Sequence, residues 1–246
     1  MAARHDLYLC EINGGNLRNA IPREAYAICA VPEDAKHDVR TELNIFTSEM
    51  EDELSVVEPD LKLVLESETP RKTAIDQDTT TRLLKALYAA PHGVYAMSQD
   101  IPGLVQTSLN LGILKTEETE VCATFSVRSS VATQKEMLHD RLRCLMEQLG
   151  GQLEITGDYP AWEYRRESPL RERMVKVFQA QYGHDPKIEA IHAGVECGLL
   201  CGKLPGLDCV SVGPDLLEIH TPREKMSISS VQRVWDFLKE VLRESK

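Results

Sequence analysis

Two architectures follow one another in this sequence. Residues 1–158 read as an α+β domain, a mixed or antiparallel sheet with helices on one face, and residues 159–246 as an incomplete α/β stretch. Two features predict that order. Up to residue 158, strands and helices are intermixed in two similar halves, and two long strands, "LVQTSLNLGILK" and "EVCATFSVRSS", are joined by the polar turn "TEET". Past the crossing "GDYPAWEYRRESPL", rich in Pro, aromatic and charged residues, helices and strands simply alternate. Parallel strands need neighbours on both sides, so this last stretch reads as the edge of a larger sheet.

Each element has a local reason. "DLYLCEINGG" alternates apolar and polar residues and turns on Asn13-Gly14-Gly15, the pattern of a strand and tight turn. "REAYAICAVP" is a second strand, stopped by Pro32; a helix with early acidic residues starts near Glu33. "LKLVLESE" alternates as a strand should. "TAIDQDTTTRLLKALYAAPHG" opens on cap-type residues and closes on Pro91 and Gly93, as a helix does. After the long strand pair, Ser129-Ser130 precedes the helix "VATQKEMLHDRLRCLMEQLGG", and "QLEITGD" is expected as the last strand of this half. Beyond the crossing come helix "LRERMVKVFQAQYG", strand "KIEAIHAG", helix "VECGLLCGKLPG", strand "DCVSVGP", a loop carrying His220, and the terminal helix "SISSVQRVWDFLKEVLRE".

The bulk numbers bound the function. A net charge of −11 argues against nucleic acid or an anionic membrane as the main partner, because neutralising phosphates needs clustered Lys and Arg. The longest apolar runs fall short of the roughly 20 residues that span a bilayer, and the N-terminus lacks the layout of a secretory signal. Seven scattered cysteines suit reduced thiols, so a cytoplasmic protein is expected. Cys197 and Cys201 lie one helical turn apart, but no further ligands follow at zinc-site spacing, and buried free cysteines behave as small hydrophobes.

Few residues offer chemistry. His220 ends "GPDLLEIH", in the kind of strand-end loop where α/β folds place ligands; it reads either as a metal ligand or as a surface loop histidine. Gly194, in "IHAGVECG", precedes a helix start whose free N–H groups suit an anion, or simply allows a turn that needs small residues. Arg128 ends a strand and either clamps a carboxylate in bidentate fashion or carries a solvated charge. Asn19 sits in the turn "RNAIP", where Asn serves backbone geometry first. No Gly-rich phosphate loop, His-Glu-x-x-His, Gly-x-Ser-x-Gly or dinucleotide fingerprint is present.

Taken in order, "GGNLRNAIPREA", "SLNLGIL", "VRSS", "HAGVECGLL" and "SVGPDLLEIHTPRE" resemble the bacterial aminoacyl-histidine dipeptidases, also called peptidase D or β-alanyl-histidine dipeptidases, of the carnosinase-like zinc peptidases. The resemblance runs over essentially the whole chain. It implies a lid domain over 1–158, which closes on substrate and dimerises, and the C-terminal portion of a catalytic α/β domain over 159–246. It further implies hydrolysis of Xaa-His dipeptides such as β-alanyl-histidine by a two-zinc centre. His220 matches the final zinc ligand. Asn19 and Arg128 match lid positions that hold the dipeptide, Arg128 by its carboxylate, and Gly194 matches a backbone contact to substrate. The family's His-x-Asp motif, its downstream acidic pair and its general-base Glu have no counterpart here, so no catalytic residue is assigned. The chain is expected to be inactive alone and to partner a second copy through the lid, or a missing N-terminal half. A non-catalytic lid or dimerisation module is the alternative.

Overall fold

The computed structural model describes residues 5–190, 196–219 and 221–245. They fall into two compact units. The first comprises Met1–Gly93, Leu109–Val127 and Leu138–Leu153, and the second Val94–Ser108, Arg128–Met137 and Glu154–Lys246.

In the first unit, β1 (Tyr8–Gly14) and β2 (Ala25–Ala30) pair antiparallel from Tyr8↔Ala30 to Gly14↔Ala25, with a bulge at Cys10. Pro32 stops β2, and a 3-10 turn (Glu33–Ala35) leads into α1 (Lys36–Leu54). None of the α1 residues is buried, and Ile45 and Phe46 are exposed on it. Asp76 caps α2 (Gln77–Ala89), accepting from Thr79 N at 2.9 Å, which satisfies one of the helix's unpaired first-turn donors. The same end of α2 is tied to β1: Leu9 N donates to Thr80 Oγ1 at 3.3 Å and Ile75 N to Leu9 O at 2.8 Å. The core here is Leu7, Leu9, Ala86, Leu109, Leu138 and Leu142.

Three elements pass from one unit into the other: β4 (Val105–Thr116), β5 (Val121–Ser129) and α3 (Ala132–Leu149). The hydrogen-bonded strand order is β2-β1-β4-β3, with β5 on β4. β3 (Gly93–Met97) reaches β4 by a hairpin closed by Ser98 N donating to Leu104 O at 2.8 Å; the sequence reading had no strand there.

The second unit adds α4 (Pro169–Tyr182), α5 (Glu196–Lys203), the two-residue pair β6 (Leu216–Leu217) and β7 (Lys225–Met226), and α6 (Ile228–Arg243). Ser168 caps α4, with Pro169 at its first turn and Gly183 ending it at φ 74°, where a side chain would be strained. Ser227 caps α6. Met174 and Val177 of α4 pack with Phe237 and Val241 of α6, with Leu170, Phe178 and Val210 around them.

Four expected strands are corrected. "LKLVLESE", "QLEITGD", "DCVSVGP" and the described part of "KIEAIHAG" hold no strand. The alternation of residues that suggested them is a local signal, whereas a strand exists only through a hydrogen-bonded neighbour. Among the described residues, 208–214 make no backbone–backbone hydrogen bond. No helix of the described residues is long and apolar enough to cross a membrane.

Candidate functional site

The second unit holds a cavity of about 1160 Å³, lined wholly by residues of that unit. One wall is aromatic and apolar: Trp162, Tyr164, Phe178, Val210 and Phe237. Arg128, Ser129 and Ser130, at the end of β5, supply a polar corner.

That corner is built from facing hydroxyl and amide groups. Thr107, fully buried, lies 2.8 Å from Ser129 Oγ and hydrogen-bonds Gln134. Ser129 Oγ also accepts from Val131 N at 3.0 Å, and Ser130 N donates to Gln106 O at 3.2 Å. The last residues of β5 are therefore pinned to β4 and to the start of α3, which fixes the backbone that carries Arg128. Arg128 itself is half-buried on the cavity wall.

The segment carrying Trp162 is anchored from α3. Lys135 Nζ, whose side chain is 12% exposed, donates to Asp158 Oδ1 at 2.5 Å and to Tyr159 O at 2.8 Å. Ala132 N donates to Glu163 Oε1 at 3.3 Å. The sequence reading took this stretch for a crossing; its signal was three aromatic residues, Tyr159, Trp162 and Tyr164, in a chain with 5% aromatics.

Arg165 and Arg171, which also line the cavity, and the neighbouring Arg166 are committed to the fold. Arg165 donates to Glu167 O and Gly206 O, both at 2.9 Å. Arg171 donates to Arg165 O at 2.6 Å and Arg166 O at 2.5 Å, and stacks over Tyr164 at 4.8 Å. Arg166 pairs with Asp100 at 2.6 Å. Arg165 and Arg166 therefore brace loops while both remain exposed to solvent.

Beneath the cavity, Asp208 accepts from Ser168 Oγ at 2.6 Å and from Leu170 N at 2.9 Å. Burial works to raise its carboxyl, but the hydrogen bonds from Ser168 and Leu170, with Arg165 and Arg171 nearby, hold it below the usual carboxylate range. Beside it, the Cys209 thiol is pushed up to about 11, first by burial and then by Cys201 and Cys197. A thiol so shifted is protonated near neutrality and is a poor nucleophile.

Asn19 is exposed in a turn of the first unit, and Arg128 belongs to the second. Gly194 and His220 lie outside the described residues. Among the described residues, no group of three or more His, Cys, Asp or Glu side chains is placed to hold a metal ion. The described residues on their own therefore do not fit a zinc centre.

Comparison with known proteins gives concordant matches. Residues 2–58 match the model of the peptidase dimerisation domain. Over 239 residues, 97% of this chain, it is 35% identical to the cytosol non-specific dipeptidase of Escherichia coli (strain K12), of which it covers 49%. The crystal structure of aminoacylhistidine dipeptidase from Vibrio alginolyticus superposes with a TM-score of 0.88 at 36% identity, covering 99% of this chain and 50% of that one. The chain thus spans about half the length of the relatives it matches, and over that half it is similar to the aminoacylhistidine and cytosol non-specific dipeptidases.

Proposed function

We propose that this chain is the lid (1–158) and the C-terminal portion of the catalytic domain (159–246) of a cytoplasmic, metal-dependent dipeptidase that cleaves Xaa-His dipeptides. The observation that carries the reading is the match of nearly the whole chain, at 35% identity, to a cytosol dipeptidase. In this reading Arg128 holds the substrate carboxylate, and Asn19 and Gly194 are further substrate contacts, each by its match to a family position. A guanidinium is suited to that task because its fork of N–H donors matches both oxygens of a carboxylate. His220 is the one zinc ligand the chain supplies. A lone imidazole holds zinc weakly, so the ion would be secured by ligands the described residues do not provide. The chain alone is then inactive and needs the half of its relatives that it does not cover.

The test is hydrolysis of β-alanyl-histidine with added Zn²⁺, with metal content read on the same sample. Two samples are compared: the purified chain alone, and the chain mixed with the segment of the Escherichia coli enzyme that has no counterpart here. Turnover only in the mixture supports the reading, and turnover in neither defeats it. Turnover by the chain alone, abolished in His220→Ala, would refute the half-enzyme account. In an active mixture Arg128→Lys is expected to raise KM about tenfold, the scale of one charge-assisted hydrogen bond.

A second reading, a non-catalytic module that forms homodimers, is favoured by the dimerisation-domain match over 2–58 and by the exposed Ile45 and Phe46 on α1. It predicts a dimer by analytical ultracentrifugation without zinc. A monomer at micromolar concentration would remove this reading and the homodimer from the first.

A further inference from the structure

We infer that Asn110 is a positioning residue for Asn19, fixing the turn from which Asn19 would meet a dipeptide; the inference rests on the reading of Asn19 as a substrate contact. Asn110 lies in the middle of β4, in the first unit. Its Nδ2 donates to Ala20 O at 2.8 Å and reaches Arg18 O at 3.5 Å. These are the carbonyls on either side of Asn19, so one amide group grips the turn across the residue it presents.

The rest of the contact is glycine. A Cβ on Gly112, two residues along β4, would fall 2.4 Å from Arg18 O and 2.7 Å from Arg18 Cα. A Cβ on Gly15, at φ +67°, would fall 2.0 Å from Gly112 O. The backbone of the turn therefore lies directly on the backbone of β4, with no room for a side chain between them. Bonds from Ala20 N to Leu17 O at 3.2 Å and from Gly15 N to Glu24 O at 3.1 Å hold the turn to itself and to its exit. Asn19 stands exposed on this clamped turn.

The orientation of the Asn110 amide is forced, since both groups it meets are acceptors. Its Oδ1 is left buried and without a partner among the described residues. A buried acceptor with no donor is costly, and an apolar residue of the same shape would avoid the cost. An Asn at this position is accounted for by its two donors, and their effect is to set where Asn19 stands. Asn110 touches no substrate in this account and acts only through the turn.

The test compares the wild-type chain with Asn110→Leu, Asn110→Ala and Asn19→Ala. Leu removes the orphaned oxygen together with the donors, and Ala serves if Leu does not fold. Three quantities are read: the thermal midpoint, amide hydrogen exchange over residues 15–22, and binding of β-alanyl-histidine by titration calorimetry. Asn110→Leu is expected to keep the midpoint, to speed exchange in that stretch about tenfold, and to weaken the dipeptide as much as Asn19→Ala does, with no further loss in the double variant.

Unchanged exchange in both Asn110 variants overturns the inference. Faster exchange with undiminished dipeptide binding overturns it too, since the turn would then be braced for stability alone. If neither the wild-type chain nor its mixture with the Escherichia coli segment binds the dipeptide, it is the reading of Asn19 as a substrate contact that fails. The clamp is then decided by exchange alone: faster in Asn110→Leu sustains it, and unchanged overturns it.

Discussion

The first unit buries Leu9 and Leu109 to 1% exposure and Leu138 to zero, whereas the tightest apolar side chains of the second, Val177 and Val241, remain at 5%. The backbones differ in the same sense. The first unit closes a ladder of pairs between β1 and β2, while residues 208–214 in the second, apolar and extended in sequence, have no backbone partner among the described residues. Apolar burial and ladder hydrogen bonds come from the same event, the arrival of a neighbouring strand, and among the described residues β1 has such a neighbour where 208–214 do not. In the proposed half-enzyme reading, such strands would come from the part of the relatives that the chain does not cover.

The sharpest way to break the comparison is to cut the core of the first unit. Leu138→Ala should cost about 2–5 kcal/mol, the range for a fully buried leucine, read from urea unfolding followed by circular dichroism. A loss below about 1 kcal/mol would mean that the first unit is no better packed than the second.

Asp208 offers a middle-sized test in the second unit. Asp208→Ala leaves Leu170 N and Ser168 Oγ without their acceptor and should cost about 1–2 kcal/mol. The pH dependence has a definite sign. Hydrogen bonds hold the folded carboxyl below its unfolded value, so its contribution is complete above the ordinary carboxylate range and is lost as pH falls through the lowered value. The wild-type chain should therefore lose stability more steeply than Asp208→Ala below the ordinary carboxylate range. Parallel acid titrations of the two would dismiss this role for Asp208.

At the small end, Trp235 is 60% exposed on α6, and Trp235→Ser should change stability by less than about 0.5 kcal/mol. A loss several times larger would show that this face of α6 is covered in solution, sharpening the case for a partner on the second unit.

The helices were legible because their signals are local. Asp76 stands among the cap-type residues expected to open α2, while Pro169 and Gly183 punctuate α4 as sequence rules say they should; the caps Ser168 and Ser227 follow the same local rule without having been singled out. "LKLVLESE" and "DCVSVGP" misled for the complementary reason: their apolar periodicity says which face would be buried, not whether anything is there to bury it. β3 escaped notice because its five residues, from the Gly of a Pro-His-Gly turn to the residue before Ser98, carry little periodicity. Arg128 and Asn19 stood out only through the resemblance of their motifs, since neither spacing nor composition marks them. The aromatic cavity wall was invisible because it gathers residues 160–165, 170–180 and 207–237, which no window of the sequence brings together.

The chain has two tryptophans, and they stand in opposite surroundings. Trp162 lines the cavity half-buried, and Trp235 faces solvent, 6.0 Å from the ammonium of Lys239. Light emitted by the protein therefore carries two separable signals. Iodide should quench the outer indole first, because it is the exposed one, and leave a bluer remainder from the inner one. A molecule that fills the cavity would alter that remainder and leave the quenched part untouched. The molecule thus contains its own optical gauge of cavity occupancy, readable with no label attached.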